Sequence, residues 1–357
     1  MALMSLMRDL SRARYAAAQS ARVAWYMGQY FLARRISGPF DRPGEPKFQP
    51  RAPAGDPQRI RAAFLALFAK DRANIEAGLY PAPHDLKLDR ALAALTHSAN
   101  FFRDLPRVDQ RRLHRNGVEV RAAAREAGER YPTYYLQNFH YQTGGWLSDE
   151  SAKLYDTQVE ILFGGAADAM RRIALGSLAR AMRGTDQRRV KLIDFACGNG
   201  RFLDQIMHAF PRMPAAGLDL SPAYCAKARK RLASWPQVEI VTGAVEQTPF
   251  EDARFEAATC VYLLHELPPR VRREAAREIA RVLKPGAVFV LADSVQTGDA
   301  PDLDRMLEYF PVGFHEPYYG SYVEEDIEAL FGEVGLMLEE TELAFLTKVM
   351  RFRKRPS

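Results

Sequence analysis

His265 and Glu266 stand side by side at the end of one apolar run, and Asp293 closes the next. An imidazole backed by a carboxylate is a general base, because the carboxylate orients the ring and supports the charge it gains. Where a hydroxyl or an acidic carbon must lose a proton, such a base is worth ~10²–10⁴ in rate. A second capability lies upstream, in Asp194-Phe195-Ala196-Cys197-Gly198-Asn199-Gly200. Its glycines let the backbone approach a ligand, and a helix starting just after them offers unpaired N–H groups. Asp219, 21 residues past Gly198, is placed to accept hydrogen bonds from a ribose.

These residues need elements to position them. Val190 to Ile193 reads as a short buried strand ending at Asp194, and Phe202, Leu203 and Ile206 open a helical pattern. Ala215 to Leu220 reads as a second strand, followed by Ser221-Pro222, an N-cap with proline at the first helical position, and a helix over Ala223 to Leu232. These two units suit an NAD enzyme as well as other enzymes that bind a nucleoside cofactor. The next units separate the two. Val238 to Val241 is a strand, followed by Gly243-Ala244-Val245-Glu246-Gln247-Thr248-Pro249-Phe250. Phe255 to Leu264 is another, Arg281-Val282-Leu283-Lys284-Pro285-Gly286 closes a helix, and Ala287 to Ala292 is a fifth strand.

The turn at 194–200 resembles motif I of the class I S-adenosylmethionine-dependent methyltransferases. The ordered set of later motifs is similar to that of small-molecule methyltransferases related to the quinone C-methyltransferases, over roughly residues 150–357. The resemblance implies an α/β fold: a Rossmann-like, mostly parallel sheet with an antiparallel last strand and helices on both faces. It implies S-adenosylmethionine as cofactor, with contacts from Asp194, Ala196, Gly198, Gly200, Asp219, Leu220, Ala244, Val245 and Tyr262. Ala196 replaces the usual first glycine. Ala244-Val245 replaces a common Asp-Ala, so adenine is expected to be held by backbone and apolar contacts. Some sugar and natural-product O-methyltransferases of this fold carry His at the end of strand four and Asp in strand five. That likeness makes His265 and Asp293, with Glu266, the catalytic candidates.

The N-terminal 150 residues differ in character. They carry 23 Lys and Arg against 15 Asp and Glu, whereas the remainder carries 27 against 29, so the net charge of +6 is an N-terminal property. A helical pattern covers residues 5–36, a Pro/Gly-rich linker runs from Pro39 to Pro57, and helices are expected from Pro57 and over Leu88–Phe102, Val108–His114 and Val118–Glu129. Residues 1–150 thus form a mainly helical region preceding a methyltransferase domain at 151–357. The first 35 residues could be a transit peptide, but an ordinary Arg/Ala-rich helix is the expected reading. That basic helix could instead lie on an anionic membrane surface with Trp25, Tyr26 and Tyr30 at the interface. No apolar run reaches the ~20 residues of a membrane span. Cys197, Cys225 and Cys260 form no metal or disulfide pattern, so no metal is expected and a reducing cytoplasm fits.

Two segments are candidates to cover the site. Residues 131–150 are dense in aromatics, amides and glycine and include Tyr135, Phe139, His140 and Trp146; a helix over Ser151–Met182 follows. Residues 304–322 follow the fifth strand and include Phe310, His315, Tyr318 and Tyr319. A helix over Glu324–Phe331 and strands over Leu336–Glu340 and Ala344–Phe352 complete the chain. The expected acceptor is a small molecule, lipophilic or aromatic, methylated on oxygen or carbon. RNA methylation is the alternative favoured by the basic region, although the nucleic-acid signature Asn/Asp-Pro-Pro-Tyr/Phe is missing from strand four. A non-catalytic cofactor-binding or membrane-associated scaffold is the other alternative. No oligomeric state is implied.

Overall fold

In the computed structural model of the chain, residues 2–38, 47–83, 91–126, 128 and 131–356 are described. Seven strands form one sheet: β1 (Leu192–Phe195), β2 (Ala215–Asp219), β3 (Val238–Thr242), β4 (Phe255–Val261), β5 (Leu283–Ser294), β6 (Leu336–Ala344) and β7 (Thr347–Lys354), in the order β3-β2-β1-β4-β5-β7-β6. The first five run parallel, and β7 lies antiparallel between β5 and β6. β1 is buried along its whole length, as a central parallel strand covered on both faces must be. Its alternate residues serve two cores. Ile193 and Phe195 pack with Phe289, Phe331 and Phe352 on one face, while Leu192 packs with Val290, Met170 and Ile206 on the other.

The helices are α1 (Ala2–Ile36), α2 (Pro57–Glu76), α3 (Ala91–His114), α4 (Val120–Glu126), α5 (Asp149–Leu162), α6 (Ala167–Ala181), α7 (Arg201–Ala209), α8 (Pro222–Arg231), α9 (Pro269–Val282), α10 (Asp304–Gly313), α11 (Tyr319–Tyr322) and α12 (Ile327–Gly332). α2 starts where Asp56 Oδ1 accepts from the Gln58 amide. It packs on α6, while α1 and α3 pack on α5. The N-terminal region is therefore bolted to the sheet through α5 and α6. Its fasteners are ion pairs: Arg22 reaches Glu160 at 2.6 Å and Asp168 at 3.0 Å, and Arg172 reaches the fully buried Asp71.

Several boundaries differ from the sequence-based expectation, each for a local reason. The helix expected over 151–182 is two helices, broken at Gly164 (φ +57°) and Gly165 (φ +84°). A Cβ on Gly165 would come within 3.2 Å of the α1 backbone at Arg22 and Val23, so the break lets α1 cross. The helices expected over 88–102 and 108–114 are one helix running through Pro106; residues 88–90 lie outside the described part. The helix expected over 118–129 is described to Glu126, and the linker expected from Pro39 lies outside the described residues as far as 46. β4 stops at Val261 because Tyr262 turns with φ +58°, and residues 264–266 form a single 3-10 turn. The 304–322 insertion is helical, as α10 and α11. On α1 the three expected interfacial aromatics do not share a face: Trp25 points outward, but the Arg22 guanidinium lies 5.3 Å from the Tyr26 ring, and Tyr30 is half-buried.

Candidate active site

At the carboxyl ends of β1, β2 and β4 lies a cleft of about 760 Å³, the place where ligands of open α/β sheets bind. Its floor is Ala196, Gly198, Leu218, Asp219, Leu220, Gly243 and Val245. Asp219 is held by two backbone donors, the amides of Gly198 and Ser221, each at 2.9 Å. Burial raises its carboxyl to about 6, opposed by those two amides. A Cβ at Gly198 (φ +54°) would meet only Tyr224, at 3.9 Å. The turn is thus a shallow cradle that any larger side chain would fill.

Three of the sequence-based cofactor candidates do not face the cleft. Asp194 is buried under it, where its carboxylate accepts from Thr259 Oγ1 at 2.6 Å; burial raises it to about 7. It braces β1 against β4. Gly200 (φ +78°) opens α7, and a Cβ there would press on Leu232 and Ala228 at 3.0–3.2 Å. Its glycine serves packing. Ala244 lies in a small bridge with Gln247. Ala196, Gly198, Asp219, Leu220, Val245 and Tyr262 do line the cleft.

The cover comes from residues 131–150 and α5. Tyr134, Tyr135, Phe139, Trp146 and Tyr155 roof the cleft. Phe139, Trp146 and Tyr224 pack as one aromatic cluster with Tyr135, Tyr155 and Tyr318. Ser221 ties it down: its hydroxyl donates to the Trp146 carbonyl at 2.5 Å and accepts from the Tyr224 amide. Tyr224 in turn shares a 2.8 Å hydrogen bond with Ser151. Across the cleft, Tyr134 donates to Glu246 at 2.6 Å. This latch closes the roof onto the segment after β3. Tyr134→Phe should therefore leave the fold intact while speeding ligand release from the cleft. A hydrogen bond to a charged group is worth about 1.5–3 kcal/mol, so a ligand dissociation rate raised ~10-fold or more is expected by stopped flow. An unchanged rate would show that the latch does not control access.

Beyond Glu266 and Tyr262 the cleft opens into a larger chamber of about 2020 Å³. Its polar end carries His265, Glu266, Ser294 and His140; its walls are Tyr155, Phe163, Leu307, Phe310, Phe314, Tyr319 and, from α1, Tyr30 and Arg34. A third cavity of about 1040 Å³ shares His140, Tyr155, Phe314 and Tyr30 and continues under α1 and α3, past Phe101, Leu105 and Val108. The two cavities share walls from α1 and α5 and from Phe314, just past α10. Of the other sequence-based candidates, His315 sits elsewhere: its Nε2 bonds Gln137 Oε1 at 2.9 Å and its ring packs on Tyr141. Tyr318 packs at the aromatic roof.

His265 Nδ1 lies 2.5 Å from Asp293 Oδ1. Asp293 is fully buried and also accepts from the amides of Leu264 and Ser294, both at 2.7 Å. Asp293 therefore accepts from Nδ1–H, and Nε2 lies on the Glu266 side, 4.0 Å from its Oε1. Burial alone lowers the imidazole pKa, but the charge and hydrogen bond of Asp293, with Glu266 and Glu316, outweigh it and raise His265 to about 9. Burial, opposed by His265, also raises the Glu266 carboxyl. Sequence reasoning missed Glu316. It is 3% exposed, its Oε1 lies 3.3 Å from His140 Nε2, and burial holds its carboxyl well above the usual range. Nothing in its Phe-His-Glu-Pro context marks it; only the folding of residues 313–319 over His140 does. Tyr155 and Tyr224 were missed for the same reason. No group of three or more His, Cys, Asp or Glu is arranged to hold a metal among the described residues.

A model of the methyltransferase domain family matches residues 192–286. The ubiquinone/menaquinone biosynthesis C-methyltransferase UbiE of Methylobacterium nodulans is 29% identical over 181 residues, which are 50% of this chain and 69% of that one. A demethylmenaquinone methyltransferase of Chlorobaculum tepidum is 29% identical over 46% of this chain and 64% of its own length. The chain thus spans about two thirds of these relatives. Among solved structures, a SAM-dependent methyltransferase from Aquifex aeolicus is 15% identical with a TM-score of 0.38, over 50% of this chain and 88% of that one. The glycine cradle, the acid at the end of β2 and the sheet order agree with the family match. Residues 192–286 thus carry a methyltransferase domain, and the chain is similar to S-adenosylmethionine-dependent quinone C-methyltransferases.

Proposed function

We propose that the chain methylates an oxygen or carbon of a small, lipophilic, aromatic acceptor seated in the chamber beside the cofactor cleft. The observation that carries this reading is the His265–Asp293 pair, set with Glu266 where the cleft meets an aromatic-walled cavity. S-adenosylmethionine supplies an electrophilic methyl group on a sulfonium. When it is bound, Asp219 would accept from its ribose, and Val245, Leu220 and the aromatic roof would hold the adenosine and exclude water. Nε2 of His265 takes the acceptor's proton, and Asp293 keeps the ring oriented as it gains charge. The walls align the acceptor for in-line attack, which lowers the entropic part of the barrier. The relatives' names speak of quinone C-methylation, which suits an acidic ring carbon activated by a neighbouring oxygen.

The test uses methyl-labelled S-adenosylmethionine with either 1,4-dihydroxynaphthalene or total RNA. Label in the organic extract, dependent on the protein, is expected; label in RNA alone would favour the nucleic-acid reading. Asp219→Ala removes an acceptor of charge-assisted hydrogen bonds worth ~1.5–3 kcal/mol. Its affinity for S-adenosylhomocysteine should fall ~10- to 100-fold by calorimetry. An unchanged affinity with the fold intact would remove Asp219 from the cofactor site.

A further inference from the structure

We infer that the outer face of α1 rests on an anionic phospholipid bilayer, with the chamber opening beside it. The face that packs on the protein carries Gln19, Gln29 and Ala33, all buried, and Arg22 in its ion pairs. That docking fixes which residues face out. The outward side shows Leu10, Trp25, Phe31, Leu32 and Ile36, with Phe31 62% and Ile36 56% exposed. Interleaved with them are the exposed Arg14, Arg34 and Arg35, and no acidic residue occurs from Leu10 to Gly38. Apolar side chains mixed with arginine and free of acids match an anionic interface; a protein partner would commonly demand some charge of the other sign. No described helix is long and apolar enough to cross a membrane, so the contact is a surface one.

The position of the chamber supplies a second, independent argument. Its rim includes Arg34 of α1 and Arg305 and Met306 of α10, all exposed. Val312, also exposed, follows on α10. The apolar cavity and the apolar-basic face therefore border each other, and a lipophilic acceptor could pass from bilayer to chamber without crossing water. The contact itself does not depend on which acceptor is used.

The test is co-sedimentation of the full chain with vesicles of phosphatidylcholine alone or mixed with phosphatidylglycerol. Binding to the mixed vesicles only, weakened by salt, is expected. Arg14→Gln with Arg35→Gln removes two surface charges and should lower that partition roughly 30-fold. Phe31→Ser, Leu32→Ser and Ile36→Ser together should abolish it. Both variants alter exposed residues outside the cofactor cleft, so calorimetry with S-adenosylhomocysteine should give wild-type affinity and confirm that they fold. Equal binding to both vesicle types, no binding to either, or wild-type partition of the triple variant would overturn the inference. So would sedimentation equilibrium showing a dimer that the triple variant dissolves, which would make the face a self-association surface.

Discussion

His265→Ala should cut turnover by ~10²-fold or more while leaving affinity for S-adenosylhomocysteine nearly intact. Loss of the base removes proton transfer and spares binding, so kcat falls and KM for the cofactor does not. The pH dependence carries more information than the size of the loss. With His265 raised to about 9, the free enzyme holds an imidazolium at neutral pH, and kcat/KM should rise with pH until that proton is lost. A midpoint near the ordinary 6.5 of histidine would show that the Asp293 charge does not reach the ring. Asp293→Asn reverses the balance. Burial is then opposed only by Glu266 and Glu316, and the limb should move down from about 9 while turnover falls. The variant also sets an amide NH₂ either against the Leu264 amide or against the His265 and Ser294 donors, so a loss of stability accompanies it. Full turnover in His265→Ala would leave proximity alone to drive the transfer, with residues 264–266 a structural turn.

The largest expected loss of stability comes from Asp168. This buried carboxylate on α6 accepts from Arg22 at 3.0 Å, from Arg171 at 3.2 Å and from Arg201 at 2.7 Å. It joins α1, α6 and α7 at one point. Asp168→Ala leaves three arginines short of their shared counter-ion, and breaking a buried pair from one side costs about 3–5 kcal/mol. Chemical denaturation should show that loss, and hydrogen exchange should show α1 released before the sheet. Cutting the exposed Asp186–Arg188 pair with Asp186→Ala should do neither. Equal protection of α1 in the Asp168 variant would mean that apolar packing alone holds the helix.

Much of the sheet was legible because its signals are local. A short apolar run ending at Asp194, small residues, then Phe202 and Leu203 at helical spacing describe β1 and α7 within a residue or two. Ser221-Pro222 marks the start of α8 through a hydrogen bond made within three residues. The grouping of the candidate residues was legible where it follows from the strand ends: Asp219 closes β2, Asp293 lies at the end of β5, and His265 and Glu266 sit in the turn after β4, on the same side of the sheet. What escaped depends on contacts far apart in sequence. Tyr224 joins the roof through Ser151, 73 positions away, and through its packing on Trp146 and Tyr155. The break at Gly164-Gly165 makes sense only once α1 crosses there, and Glu316 gains meaning only beside His140. Asp194 and Gly200 sit in the motif as expected, yet their side of the turn faces the sheet and α8, which the motif's spacing does not reveal.

The walls of the chamber come from residues 30–34, 48–60, 140–163 and 294–319 and from Leu346, and of its lining only Tyr262, His265 and Glu266 belong to the stretch matched as a methyltransferase domain. On the proposed reading, the floor of the donor's cleft lies within 192–286, while its roof and most of the acceptor's walls lie outside that stretch. Drift in α1 or α10 could retune what is methylated while the donor's half stays under its own constraint. Among proteins sharing this arrangement, likeness within 192–286 would report a common chemistry, and likeness in the flanking helices would report a common substrate.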